Sequence, residues 1–221
     1  MSTIKITGKV NSAICYAKVV EEEALDQIKR MCDSPMSEGS KIRIMPDVHS
    51  GKGCTIGTTM TITDKVVPNV VGVDIGCGML TVNLGKIDID FKKLDEVSHY
   101  IPSGTNVWKP DDKVPNFLSW DETTEVFDIT NLACYDELQN VDRLNRSLGT
   151  LGSGNHFIEV DESSKGEKYL IIHTGSRNIG KQVAEIYQRK AIELARGRGD
   201  DIPDELCYLD GVYLKDYLYD I

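Results

Sequence analysis

A carboxylate and a thiol stand three residues apart in the glycine-rich segment VGVDIGCGM, residues 71–79. Asp74 and Cys77 could converge from one tight turn on a divalent metal ion. A thiolate ligand favours softer or borderline ions over magnesium or calcium. The segment therefore predicts a metal site and suggests a metalloenzyme.

Two later segments carry the imidazoles that this turn lacks. GSGNHFIEV (residues 152–160) places His156 where a glycine-rich loop enters a strand, and LIIHTGSRNIG (residues 170–180) places His173 where a strand leaves for a loop. A histidine at a strand end is by itself more often hydrogen-bonded than ligating, but these two are flanked by glycines that permit close backbone approach. Imidazole and thiolate together suit manganese, iron, cobalt or zinc, and ligand softness does not choose among them. We predict a four-residue metal-binding set: Asp74, Cys77, His156 and His173.

Four segments carry a family resemblance, and they occur in the family's order. They are MPDVHSGKG (residues 45–53), VDIGCG (73–78), GSGNHF (152–157) and HTGSR (173–177). The chain resembles the RtcB family of GTP-dependent RNA ligases from about the first of these segments to its end. The resemblance implies joining of RNA 2′,3′-cyclic phosphate or 3′-phosphate ends to 5′-hydroxyl ends. It also implies use of GTP and two manganese ions, with guanylate carried covalently on a histidine.

The resemblance also assigns individual residues. It implies that Asp74, Cys77, His156 and His173 are metal ligands and that Asn155 contacts the nucleotide phosphate. We favour Arg177 as an RNA-phosphate contact because it follows a predicted ligand by four residues, although a tight turn with a solvated basic side chain is the alternative. Dependence on an archease-like activating partner is implied by the family alone.

One departure from the family pattern changes the expected activity. The pattern requires a further ligand histidine and a guanylate-accepting histidine, and both fall beyond Ile221. His49 and His99 both precede His156 and His173 in the chain, so by order they cannot be those residues. We therefore expect this chain to be the N-terminal portion of a ligase that binds metal and contacts nucleotide with little or no ligation. The alternatives are a metal-dependent phosphohydrolase or nuclease and a non-catalytic metal-binding fragment.

The roles of the two remaining histidines are less specific. His49 lies two residues after Asp47, which leaves two interpretations. Either the Asp47 carboxylate orients the imidazole toward a site, or the segment is a turn whose polar groups hydrogen-bond to its own backbone. His99 lies on a predicted helix and is not part of a constellation of polar residues that could form a site, which indicates a structural role.

Composition sets limits on partners and location. With 25 basic and 35 acidic residues the net charge is −10. Binding of RNA would therefore require a groove that is locally basic or that carries the positive charge of metal ions. No apolar run reaches the length of a membrane span and the N-terminus has no signal-like apolar region, which predicts a cytoplasmic protein. The six cysteines form no close pairs, which disfavours a zinc ribbon or a secreted disulfide scaffold.

The elements that must position these residues are short and mixed. Periodicity predicts helices over residues 22–32, 90–99, 136–146 and 180–196, and strands over 41–45, 55–63, 66–73, 156–160 and 168–173. Residues 103–124 are predicted to form a long surface loop. The order of elements disfavours a Rossmann sheet or barrel and predicts an irregular α+β fold with mixed or antiparallel sheets and flanking helices, in one domain over residues 1–221.

Overall fold

A computed structural model describes residues 3–110 and 128–221. In these ranges the strands are β1 (Ile4–Thr7), β2 (Ser12–Cys15), β3 (Ile42–His49), β4 (Ile56–Met60), β5 (Lys65–Val66), β6 (Gly78–Gly85), β7 (Phe157–Glu162), β8 (Lys168–Thr174) and β9 (Leu209–Asp210). The α-helices are α1 (Glu22–Asp33), α2 (Pro68–Val71), α3 (Phe91–Ser98), α4 (Val141–Asn145), α5 (Arg177–Arg198) and α6 (Gly211–Asp220). The predicted α+β fold is confirmed.

The chain divides into two compact units. Unit 1 comprises residues 1–73 and 183–220, and unit 2 comprises residues 74–182 with Ile221. One domain over residues 1–221 stays a prediction. The predicted surface loop over 103–124 lies partly outside the described residues.

Unit 1 is built on a mixed four-stranded sheet of order β1-β2-β3-β4, in which the β2 and β3 strands run parallel. The apolar face of α1, with Ala24, Ile28 and Met31 buried, supplies part of its core together with Ile42 and Ile44 of β3. The 3.6-residue spacing of these apolar positions places them on one face of the helix. The helix predicted over residues 22–32 is therefore confirmed.

Unit 2 contains an antiparallel sheet of order β6-β8-β7. The strands predicted over residues 156–160 and 168–173 form β7 and β8, and the polar segment between them joins them in an antiparallel hairpin. The register of this sheet places His173 of β8 between Phe157 of β7 and Met79 of β6. All four residues of the predicted metal-binding set belong to this unit.

Two predicted elements are wrong. Residues 66–73 do not form a buried strand, because Pro68 begins the short helix α2, where a proline at the first helical position costs no hydrogen bond. Residues 136–146 form only α4 after a 3₁₀ turn at Tyr135–Glu137. Asn140 adopts a left-handed conformation (φ 55°) that separates the two.

Helix α3 forms where it was predicted, but none of its apolar side chains is fully buried. Phe91 is 62% exposed and Val97 50% exposed, and Met79 and Leu80 of β6 are exposed as well. Unit 2 thus leaves apolar surface open on the strand that begins directly after Cys77. In the described part of the chain no helix is both long and apolar enough to cross a membrane.

Candidate metal centre

The first part of the centre is the turn that leads into β6. Gly76 has a φ of +78°, a conformation that side-chain-bearing residues rarely adopt, and it lets the chain reverse between Asp74 and Cys77. Ile75 is buried, whereas the Cys77 side chain is exposed. The Cys77 Sγ lies 3.2 Å from the Asp74 carbonyl oxygen, so the turn brings the thiol and the carboxylate-bearing residue together.

The His156 imidazole is fixed by the backbone on both sides. Its side chain is only 6% exposed. A Cβ atom added to Gly175 would lie 2.3 Å from His156 Cε1, and one added to Gly152 would lie 2.6 Å from His156 Nδ1. Only glycine at both positions leaves room for the ring, and this explains the glycines that flank the histidine motifs.

The His173 imidazole projects from β8 toward the same place. Its ring centroid lies 5.1 Å from that of His156, with the rings nearly perpendicular, and 5.5 Å from the ring of Phe157. The strand register fixes this position because His173 stands directly opposite Phe157. The β7–β8 hairpin therefore carries the two imidazoles together.

Ligand atoms from three segments converge at this point. One atom each from Cys77, His156 and His173 lie within 4.8 Å of one another. The Cys77 Sγ is 3.6 Å from His156 Nε2, and the Asp74 Oδ2 is 3.0 Å from the same nitrogen. The structure thus brings Cys77, His156 and His173 into one group, and Asp74 adjoins this group through its contact with His156.

These distances and donor types fit a metal ion. A sulfur at about 2.3 Å and a nitrogen at about 2.0–2.1 Å from one tetrahedral ion lie roughly 3.6 Å apart. That separation is the one seen between Cys77 and His156. One sulfur, two nitrogens and a carboxylate oxygen form a mixed donor set that suits manganese, iron, cobalt or zinc better than calcium.

The charges at the centre favour a cation. Partial burial raises the pKa of Asp74, but hydrogen bonds from Cys77 and Ser176 and the proximity of His156 outweigh it, so the net pKa is lowered. Partial burial, and then the Asp74 carboxylate, raise the pKa of the Cys77 thiol. The carboxylate is therefore ionised at neutral pH while the metal-free thiol is protonated. A metal must displace that proton, so its affinity falls as the pH falls.

The two predicted phosphate contacts differ in their surroundings. Asn155 is exposed directly before His156, and its side chain makes no hydrogen bond with a described residue. Arg177 donates from Nη2 to the carbonyl oxygens of Gly104 (2.8 Å) and Asn106 (3.3 Å). Burial, followed by the charge of Arg143, lowers the Arg177 pKa. Asn155 thus offers a free amide, whereas the Arg177 guanidinium already binds the backbone.

Ser176, which hydrogen-bonds to the Asp74 carboxylate, was not predicted from the sequence. Ser176 donates to Asp74 Oδ1 from its backbone nitrogen (3.2 Å) and from its hydroxyl (2.9 Å). The available signal was a serine in the loop that follows a predicted ligand histidine. From the sequence, that loop was interpreted only as a phosphate contact or a tight turn.

The other histidines have local roles. The Nδ1 of His99 lies 2.7 Å from the Asp95 carbonyl oxygen, one turn earlier on α3, and the side chain is exposed. The Nδ1 of His49 lies 2.8 Å from the Asp47 carbonyl oxygen, so the imidazole contacts the local backbone at the end of β3. The carboxylate of Asp47 is not the group that contacts this imidazole.

The α+β fold and the cluster of sulfur, nitrogen and oxygen ligand atoms indicate a candidate metalloprotein. The two imidazoles of its candidate metal centre are carried by an antiparallel hairpin. A model of the family described as "tRNA-splicing ligase RtcB" matches residues 27–219, and the chain therefore belongs to the RtcB family. The predicted family resemblance is confirmed.

Curated relatives show how much of the family's length is present. The chain is 30% identical to the RNA-splicing ligase RtcB of Escherichia coli strain K12 in an alignment that covers 90% of this chain and 52% of that protein. It is 29% identical to the tRNA-splicing ligase RtcB of Methanococcus maripaludis in an alignment that covers 91% of this chain and 51% of that protein. The chain thus spans about half the length of these relatives.

Proposed function

We propose that this chain provides the metal-binding part of an RNA ligase. The complete ligase would join 2′,3′-cyclic phosphate or 3′-phosphate ends of RNA to 5′-hydroxyl ends, using GTP and two manganese ions. The observation that carries the proposal is the convergence of Cys77, His156 and His173 within 4.8 Å in a chain that matches the family over residues 27–219.

The proposal assigns a task to each residue of the centre. Asp74, Cys77, His156 and His173 would hold manganese, which when bound supplies positive charge to neutralise the phosphates of GTP and RNA. The exposed Cys77 thiolate would supply the soft ligand of the centre. Asn155, one residue before a ligand, would donate its free amide N–H to a nucleotide phosphate oxygen.

Arg177 is the second proposed phosphate contact. Its Nε is buried without a hydrogen-bond partner among the described residues, while Nη2 is held by two backbone carbonyl oxygens. Those carbonyl contacts would hold the guanidinium in place beside the predicted ligands. We propose that its remaining donors bind an RNA phosphate.

The covalent step needs a nucleophile that this chain does not offer in unit 2. The histidines of that unit are His99, His156 and His173. The latter two are proposed ligands, and His99 is exposed and bound to its own helix. We therefore propose that residues corresponding to the other half of the RtcB relatives must accept guanylate, and that the 221 residues alone do not join RNA. Archease dependence and a cytoplasmic location stay predictions.

The test combines manganese, radiolabelled GTP and denaturing gel electrophoresis. We expect no covalent label on residues 1–221 alone, because the cluster holds metal but lacks the accepting histidine. We expect label when a separately expressed C-terminal half of an RtcB relative is added. The C-terminal half alone and a mixture containing Cys77→Ala serve as controls, and both should stay unlabelled.

Other outcomes identify other functions. Shortening of a 3′-phosphate RNA by residues 1–221 with manganese would indicate a metal-dependent nuclease that uses water as the nucleophile. Manganese binding without label or cleavage in any mixture would indicate a non-catalytic metal-binding protein.

A further inference from the structure

The Asp74 carboxylate is held asymmetrically. Its Oδ1 accepts two hydrogen bonds, from the backbone nitrogen and the hydroxyl of Ser176, at 3.2 and 2.9 Å. Its Oδ2 faces His156 Nε2 at 3.0 Å. One oxygen is thus committed to Ser176, and the other points at the cluster of ligand atoms.

The position of Ser176 is itself enforced by close packing. A Cβ atom added to Gly180, one helical turn later, would lie 2.1 Å from Ser176 Oγ and 2.7 Å from the Ile75 carbonyl oxygen. Gly180 is buried and its φ is not positive, so glycine is required here for space and not for backbone conformation. The first turn of α5 can therefore approach the Asp74–Cys77 turn closely enough for the hydroxyl to reach the carboxylate.

We infer that Ser176 is a positioning residue of the metal centre, which turns Asp74 so that only Oδ2 is presented as a ligand. The inference rests on the proposed metal-binding function and adds a residue to it. Groups that hydrogen-bond to metal ligands fix their orientation, and their loss typically costs about 10–100-fold in metal affinity. The backbone N–H bond to Oδ1 survives when the hydroxyl is removed, so we expect an effect at the lower end of that range.

The test is calorimetric titration of the 221-residue protein with manganese chloride. Ser176→Ala should weaken manganese binding by about 10-fold. Ser176→Thr, which keeps the hydroxyl, should restore most of the affinity. Asn178→Ala is the matched control, because Asn178 is exposed in the same helical turn and its side chain makes no hydrogen bond with a described residue. The control should bind as the wild type does.

A spectroscopic readout separates positioning from general destabilisation. At saturating cobalt(II), Ser176→Ala should keep the thiolate-to-cobalt charge-transfer band of Cys77 while its ligand-field bands shift, because only the carboxylate ligand is reoriented. Gly180→Ala, checked first for folding by circular dichroism, should change the spectrum in the same direction.

Two results would overturn the inference, and they are distinguishable. If the wild type binds manganese and Ser176→Ala binds it equally well, the positioning role is wrong while the metal centre stands. If the wild type binds neither manganese nor cobalt, the proposed metal centre fails and the role of Ser176 fails with it.

Discussion

Replacement of Cys77 by alanine is expected to abolish tight manganese binding while leaving the fold intact. Cys77 supplies the sulfur of the cluster, 3.6 Å from His156 Nε2, and no other cysteine belongs to the described group of ligand atoms. Because the side chain is exposed, its truncation should change the free energy of unfolding by no more than about 0.5 kcal/mol. Calorimetry should show a loss of manganese affinity of about 100-fold or more, beyond that of a residue that only supports a ligand.

The neighbouring residue Met79 provides the control for this variant. Met79 is exposed, lies two residues further along β6 and pairs with His173 in the strand register. Met79→Ala should therefore bind manganese normally. Unchanged manganese affinity in a folded Cys77→Ala protein would remove the thiolate from the proposed centre.

A methyl group added at Gly175 should displace a ligand without removing it. The Cβ of Gly175→Ala would lie 2.3 Å from His156 Cε1, so the ring or the backbone must move. Overpacking of this kind costs about 1–3 kcal/mol, and the imidazole would leave the position it shares with Cys77 and His173. We expect a fall in thermal stability together with a loss of manganese affinity of about 100-fold or more.

Gly78 is the matched control for the Gly175 variant. It also lies next to the centre, and like Gly175 it does not have a positive φ, but its added Cβ would be 3.5 Å from the nearest atom, Thr174 Oγ1. Gly78→Ala should thus retain both stability and manganese binding. Equal manganese affinity in the two variants would show that the His156 ring position does not determine binding.

The parts of the fold that follow local periodicity could be predicted from the sequence. The β7–β8 hairpin and α1 form where apolar and polar residues alternate with the appropriate period. Local exceptions caused the errors. In the sequence, Pro68 interrupts an apolar run that is typical of a strand. In the structure, Pro68 begins the helix α2. Asn140 takes a left-handed conformation that ends the helical pattern predicted over residues 136–146.

Burial and long-range contacts were harder to predict. The amphipathic pattern of α3 is real, but nothing among the described residues covers Phe91, because a pattern identifies an apolar face without identifying its partner. The bond from Ser176 to Asp74 joins residues 102 positions apart, and no local rule connects them. Ligand residue types could be read from the motifs, whereas the group that orients the carboxylate required the folded geometry.

We propose that Cys77, His156, His173 and Asp74 bind metal at one centre. X-ray absorption spectroscopy at the manganese edge, on protein loaded with manganese, measures the ligand atoms directly. We expect sulfur and imidazole nitrogen in the first coordination sphere, and we expect the sulfur contribution to disappear in a sample of Cys77→Ala prepared in excess manganese. A wild-type spectrum with oxygen ligands alone, as for hydrated manganese, would contradict the account.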